Sequence, residues 1–399
     1  MHAFQATTGI RRRLSPRPEA ASCTTGAAAT AVLLLSGFTC PAEGVVSGVP
    51  AGSYGGTEYG AGAGPRAAFR VGAPRPYMVE VHRELSNNSL SYQTIRVDVD
   101  VDGSRGGGGV LCSGWLDLGA GQGRVEGPTL YGTGEAPTVA VSASGNRVVE
   151  VHRGVETDYS LFYSQGILRV AGGIDWIRTA QLFDDPGGDK PSIDITGTVV
   201  LEVHEGAPTG ASAGRLLYRA GRLFESGQLA EGNYVAWAAA GPKAFANGGL
   251  PSVKVLEDYR VMVLHSDGLG NLLYSLGDVD PATLAVTWTV ADVPYDTGAR
   301  PSVVVANSAN SRVVELHTRG EALLMRFGTL DGSSSIAWEG AACGSETGGM
   351  EYDTGGDPHL TYLGFMGDCA GEDAGKHLLA GAAPSLDVMR CGGMLCDVM

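Results

Sequence analysis

Five short segments carry the residues best suited to chemistry: MVEVH at 78–82, VVEVH at 148–152, VLEVH at 200–204, VMVLH at 261–265 and VVELH at 313–317. A carboxylate two residues before an imidazole can hold a proton with it, accept bonds from a hydroxylated ligand, or satisfy a buried neighbour. In extended backbone, Val148, Glu150 and His152 share one face of the strand, and Val149 and Val151 share the other. On this pattern Glu80, Glu150, Glu202 and Glu315 are candidate walls of repeated ligand pockets. The histidines His82, His152, His204, His265 and His317 are assigned a structural role, because most buried polar groups are satisfied partners.

Aromatic residues recur with the same beat. Trp115, Trp176, Trp237, Trp288 and Trp338 are all the tryptophans of the chain, at spacings of 61, 61, 51 and 50 residues. An indole can fill the space between sheets or offer a flat apolar face to a sugar ring. Tyr163, Tyr218 and Tyr274 belong to a further block, LSY, LFY, LLY, LLY and LLM, and join the candidate ligand residues.

Other reactive patterns are sparse. The chain contains no HExxH or phosphate-loop motif. Asp98-Val99-Asp100-Val101-Asp102-Gly103 begins like a calcium loop, but the twelfth position is Gly109 where a bidentate glutamate is needed, and strand alternation explains the same letters. Cys343, Cys369, Cys391 and Cys396 gather near the C-terminus without the two close pairs of a zinc site, and four cysteines allow three disulfide connectivities. No metal and no cofactor is implied. A glycosidase needs unique acids around one funnel, such as Asp184, Asp185 or Asp189, whereas the regular acids here repeat. That favours binding over turnover.

The elements that must position these residues follow from the repeat itself. An aromatic-x-x-Gly-x-x-Pro segment recurs as YGAGAGP at 59–65, YGTGEAP at 131–137, FANGGLP at 245–251, YDTGARP at 295–301 and YDTGGDP at 352–358, with FDDPGGDKP at 183–191 two residues longer. Each unit reads as four short β-rich segments separated by turn residues. Four-stranded units of about 50 residues repeated five or more times predict an all-β fold, a β-propeller with five complete repeats and a partial or degenerate sixth. An open solenoid needs shorter repeats.

The blocks P-S-V-x-V, V-V-E-V-H, L-x-Y-x-x-G, I-x-W and Y-D-x-G resemble the repeats of secreted bacterial and fungal β-propeller lectins over roughly residues 59–365. The resemblance implies sugar recognition between blades wherever a pocket is intact. Residues 96–110 interrupt the first repeat, Val263 replaces the glutamate and Met325 replaces the tyrosine, so those blades are expected to have lost a site.

Residues 1–42 carry Arg11, Arg12, Arg13 and Arg17, the apolar stretch AAATAVLLLSGF at 27–38, and small residues around Ala42. This is the order of a secretory signal, with an organellar transit peptide or a buried helix as alternatives. Residues 43–58 read as a glycine-rich linker and 366–399 as a cysteine-containing tail or degenerate last blade. The net charge of −15 argues against nucleic acid and anionic membranes, and no apolar run reaches the length of a spanning helix. Expected partners are glycans or glycoproteins in an extracellular or organellar setting. A protein-binding scaffold and a propeller glycoside hydrolase are the competing readings.

Overall fold

The computed structural model describes residues 31–35, 62–70, 77–84, 87–96, 99–100, 115–116, 125–142, 146–184, 187–224, 234–307, 312–320, 322–332, 334–339, 350–354, 357–365 and 376–383. The expected linker at 43–58, Cys112 and the four C-terminal cysteines, the start of the calcium-like loop at Asp98 and most of the 1–42 segment lie outside them. Among the described residues every regular element is a β-strand.

Five antiparallel sheets follow one another along the chain. The first holds Gly62–Arg70, Tyr77–Glu84, Ser89–Arg96 and Val125–Thr133. Next come Glu135–Val141, Arg147–Arg153, Leu161–Leu168 and Ile174–Asp184. In the third sheet Gly188–Thr196, Val199–Gly206 and Arg215–Leu223 are followed by a split fourth strand, Val235–Trp237 and Lys243–Asn247. The fourth is Gly249–Val255, Arg260–Ser266, Asn271–Val279 and Val286–Thr297. A fifth, Ala299–Asn307, Arg312–Arg319 and Ala322–Asp331, again has a split last strand, Ser335–Trp338 and Met350–Thr354.

The sixth unit is a three-stranded sheet in which Lys376–Ala383 lies between Asp357–Phe365 and Ala31–Leu35. The apolar N-terminal stretch and the C-terminal segment therefore meet in one sheet. First strands of successive sheets pack against one another, and Asp357–Phe365 touches both Ala299–Asn307 and Gly62–Arg70.

Sheet-to-sheet packing follows the strand alternation read from sequence. Val148 clusters with Val79, Val81 and Tyr92 of the first sheet, whereas Val149 and Val151 cluster with Ile193 and Ile195 of the third. The glutamate-histidine face of each second strand is thus turned toward the preceding sheet. Both faces are buried, which is why these strands read as nearly continuous valine and leucine.

The P-S-V block has a local cause. Ser192 Oγ accepts the Val253 N–H at 3.1 Å and Ser252 Oγ accepts the Val303 N–H at 3.1 Å, so one first strand satisfies the free edge of the next. Just before each proline, Ala136, Lys190, Leu250 and Arg300 adopt left-handed φ of 49°, 49°, 54° and 55°. Each lies at a register skip in its first strand, for example between Glu135 and Thr138, so the segment is a repeated bulge.

One expectation is corrected here. Trp115 does not sit on a fourth strand; it opens a separate two-residue strand, Trp115–Leu116, paired with Val99–Asp100. In the first sheet the register sets Ile95 against Val125. The other four sheets with tryptophan set Gly166, Gly221, Gly277 and Gly328 against Trp176, Trp237, Trp288 and Trp338. A Cβ on Gly221 or Gly328 would fall 2.8 or 2.9 Å from the indole Cε3, so the indole needs a glycine across the ladder, and Ile95 denies it one.

Candidate functional site

The repeated glutamates and histidines do come together, and they do so inside the molecule. His152 Nδ1 lies 3.0 Å from both Glu150 carboxylate oxygens. Equivalent pairs are His82 with Glu80 at 3.2 Å, His204 with Glu202 at 3.0 Å and His317 with Glu315 at 2.9 Å. Glu150, Glu202 and Glu315 are wholly buried, and Glu80 is nearly so.

Burial alone disfavours a charged imidazole. At His204 the carboxylates of Glu202 and Asp184 overcome it and raise the imidazole pKa, and at His82 Glu80 and Glu84 do the same. Burial also raises Glu202 and Glu315 above the usual carboxylate range.

The aromatic part of each seam is built from three sheet positions. Tyr131 stacks on Trp176 at 4.7 Å, Phe245 on Trp288 at 4.0 Å and Tyr295 on Trp338 at 4.6 Å, while Phe183 meets Trp237 edge-on at 4.5 Å. The first ring of each pair comes from the end of one sheet and the indole from the next. Tyr163 and Tyr218 add edge contacts to Trp237 and Trp288, and Tyr274 lies 6.3 Å from Tyr295. Trp176, Trp237, Trp288 and Trp338 remain half-buried, and their indole nitrogens make no hydrogen bond among the described residues.

Buried phenols tie the two parts together. Burial, and then the nearby Glu150 carboxylate, push the Tyr131 pKa well above its ordinary value, and Glu315 acts likewise on Tyr295.

Each seam varies one theme. Opposite the glutamate, the third strand carries Gln93, Ser164, Arg219, Ser275 or Arg326. Ser164 Oγ accepts the Ala180 N–H and Ser275 Oγ the Asp292 N–H, both at 3.2 Å, closing a one-residue bulge in a continuous fourth strand. Where that strand is split, an arginine reaches across instead. Arg219 donates to the carbonyls of Phe183 and Ala238, and Arg326 donates to Tyr295 O at 2.6 Å and Asp296 Oδ2 at 2.8 Å.

The fourth seam lacks the carboxylate because of Val263, and burial depresses the His265 pKa to about 4. Its Nε2 lies 3.5 Å from both Ser275 Oγ and Asp292 Oδ1. A hydrolytic triad needs the acid on one ring nitrogen and the hydroxyl on the other, so this Ser-His-Asp cluster is not arranged as one. Asp184 lies 3.8 Å from His204 Nε2, whereas Asp189 lies 3.4 Å from Arg153 Nε, so these two acids face different partners. Asp185 is outside the described residues, as are the side chains of Trp115 and Met325.

Sequence reasoning passed over the glycine of aromatic-x-x-Gly. Gly134, Gly188, Gly248 and Gly298 donate their N–H to Asn88, Tyr159, Gly214 and Gly270 of the preceding sheet at 2.8 to 2.9 Å. This gathers the loops between second and third strands at one rim. The signal was the fixed place of that glycine three residues before the proline of each copy.

No family model matches the chain, and no curated protein matches it. Among solved structures it is similar to SapL1 lectin in complex with alpha methyl fucoside, at 11% identity and TM-score 0.43 over 74% of this chain and 84% of that one. A subtype N11 neuraminidase-like protein of A/flat-faced bat/Peru/033/2010 gives 12% identity and TM-score 0.41 over 91% and 97%. CoXyl43, a GH43 beta-xylosidase/alpha-arabinofuranosidase from a compost microbial metagenome, gives 9% and 0.37 over 68% and 92%.

Proposed function

We propose that the chain is a closed six-bladed β-propeller that binds glycans or glycoproteins at several equivalent inter-blade positions, without catalysis. Closure is supported by the packing of Asp357–Phe365 against Gly62–Arg70. The observation that carries the binding reading is the fourfold recurrence of a half-buried indole at the seam between sheets. A partly exposed indole suits the apolar side of a sugar ring. Ligand groups on this reading are the tyrosines and tryptophans above, with Glu80, Glu150, Glu202 and Glu315 enclosed behind them against their histidines, several weak sites acting together on a glycan-bearing surface.

Titration of the purified chain with sugars chosen on a broad glycan array tests it. More than one site per chain is expected, and Trp288→Phe should remove a fraction of them. No binding on the array, or one site accompanied by hydrolysis, overturns it.

A protein-binding scaffold is the second reading, favoured by the apolar side chains of Val155 and Leu269, 38% and 88% exposed on two loops of the same rim. Secretion is part of the first reading. N-terminal sequencing of native protein tests it, and also shows whether Ala31–Leu35 is kept as a strand of the sixth sheet.

A further inference from the structure

Asn87-Asn88-Ser89 is the one Asn-x-Ser/Thr triplet of the chain, and among the described residues the Asn87 amide takes no part in the contacts between sheets. It forms the tip between the second and third strands of the first sheet. Three contacts fix that tip. The Ser89 N–H donates to Asn87 Oδ1 at 3.0 Å, Arg83 donates to Asn88 Oδ1 at 3.3 Å, and the Gly134 N–H donates to the Asn88 carbonyl at 2.9 Å. Asn88 takes the left-handed conformation, with φ of 57°.

The result is an Asx turn whose carbonyl oxygen is engaged while Asn87 stands exposed, its Nδ2 making no hydrogen bond among the described residues. Asn88 does the opposite work, since its side chain and carbonyl both hold the turn in place. The two adjacent asparagines are thus divided between anchor and presented amide.

We propose that Asn87 is an N-glycosylation acceptor, modified by a lipid-pyrophosphate-linked oligosaccharide. In this transfer Asn87 Nδ2 bonds to the anomeric carbon, the bond from that carbon to the pyrophosphate oxygen breaks, the lipid pyrophosphate leaves, and the amide proton passes to a base of the transferase. No oxidant or reductant is needed. Ser89 supplies the hydroxyl that the triplet requires at its third position. A glycan here projects from the rim that gathers the strand-connecting loops, so the folded ring accommodates it without moving a buried group.

The inference rests on the secretory part of the functional reading, and the experiment removes that dependence. The full chain is expressed behind a host leader in a glycosylating eukaryotic host, recovered from the medium, and its intact mass is compared before and after endoglycosidase treatment. One enzyme-removable glycan is expected, mapped to Asn87 by peptide mass spectrometry, absent from Asn87→Gln and from Ser89→Ala, and retained in Asn88→Gln. Medium-borne protein with unmodified Asn87, or a glycan that survives Asn87→Gln, overturns the proposal. Sugar binding by the same preparations is read separately, so a failed glycan and a failed lectin reading are distinguishable.

Discussion

Gly188 and His204 pack so closely that a Cβ on the glycine would fall 2.5 Å from the imidazole Cδ2. At the next-but-one seam, Gly298 and His317 repeat the relationship at 2.6 Å. The glycine N–H holds the preceding sheet while its bare Cα makes room for the histidine of the neighbouring second strand, which faces that same preceding sheet. The repeated glycine and the repeated histidine are therefore one feature of the seam.

Gly188→Ala should consequently lower stability by about 3 kcal/mol, the upper range for overpacking, because the clash also involves the Glu205 backbone. Gly214, with φ of 70° and open space around it, is the control: alanine there pays only for the left-handed backbone, about 1 kcal/mol. Urea denaturation of the two variants checks the order.

The histidine-bearing seams should give the protein opposite sensitivities on the two sides of neutrality. His204 has a folded pKa above 6.5, so its contribution is present below 6.5 and lost as pH rises through the folded value. Glu202, raised above 4.5, works in the same direction at lower pH. His265 is depressed to about 4, so its contribution is present above 6.5 and lost as pH falls toward 4, by up to about 3 kcal/mol. Denaturation midpoints measured from pH 4 to 9 should show the acid-side loss shrink in His265→Gln and the alkaline-side loss shrink in His204→Gln.

Trp237→Ala should destabilise by about 3 to 5 kcal/mol, since the indole fills the space between Phe183 and Gly221. Trp237→Phe keeps the stack with less loss. Thermal unfolding read beside sugar titration separates packing from binding: a variant that stays folded yet loses one site marks the indole as a ligand surface as well.

Strand number, sheet sequence and the facing of Val148, Glu150 and His152 were legible because a period of two fixes side-chain direction wherever both faces are buried. The tryptophan count misled at Trp115, since a residue count is blind to whether a glycine stands across the ladder. The sixth sheet was only half legible: Asp357–Phe365 continues the motif, but its partners Lys376–Ala383 and Ala31–Leu35 carry none of the repeated blocks, and backbone pairing asks for none. The arginines at 219 and 326 escaped notice because their task is set by a break in the neighbouring strand.

Val263 and Phe245 supply the sharpest test of the seam as a unit. Where the second strand carries Glu150 or Glu315, the preceding sheet offers a tyrosine, Tyr131 or Tyr295; where it carries Val263, the preceding sheet offers Phe245. Glu202 faces Phe183, but there Arg219 stands opposite on the third strand. Glu150, Glu202 and Glu315 thus come with a phenol, a guanidinium or, at Glu315, both, while Glu80 accepts from Gln93, and the fourth seam lacks the glutamate and the phenol together. Val263→Glu alone should destabilise strongly, because Ser275 and Phe245 leave the new carboxylate short of donors. Adding Phe245→Tyr should return about 0.5 to 3 kcal/mol of that loss, the range for directly coupled neighbours, although Phe245→Tyr alone buries a hydroxyl against valine and should be unfavourable. The His265 imidazole should also titrate above 4 once it gains the carboxylate, which NMR of the ring protons can follow. If the double variant is no more stable than the sum of the two single changes predicts, tyrosine and glutamate are independent of each other and the seam is not a coupled unit.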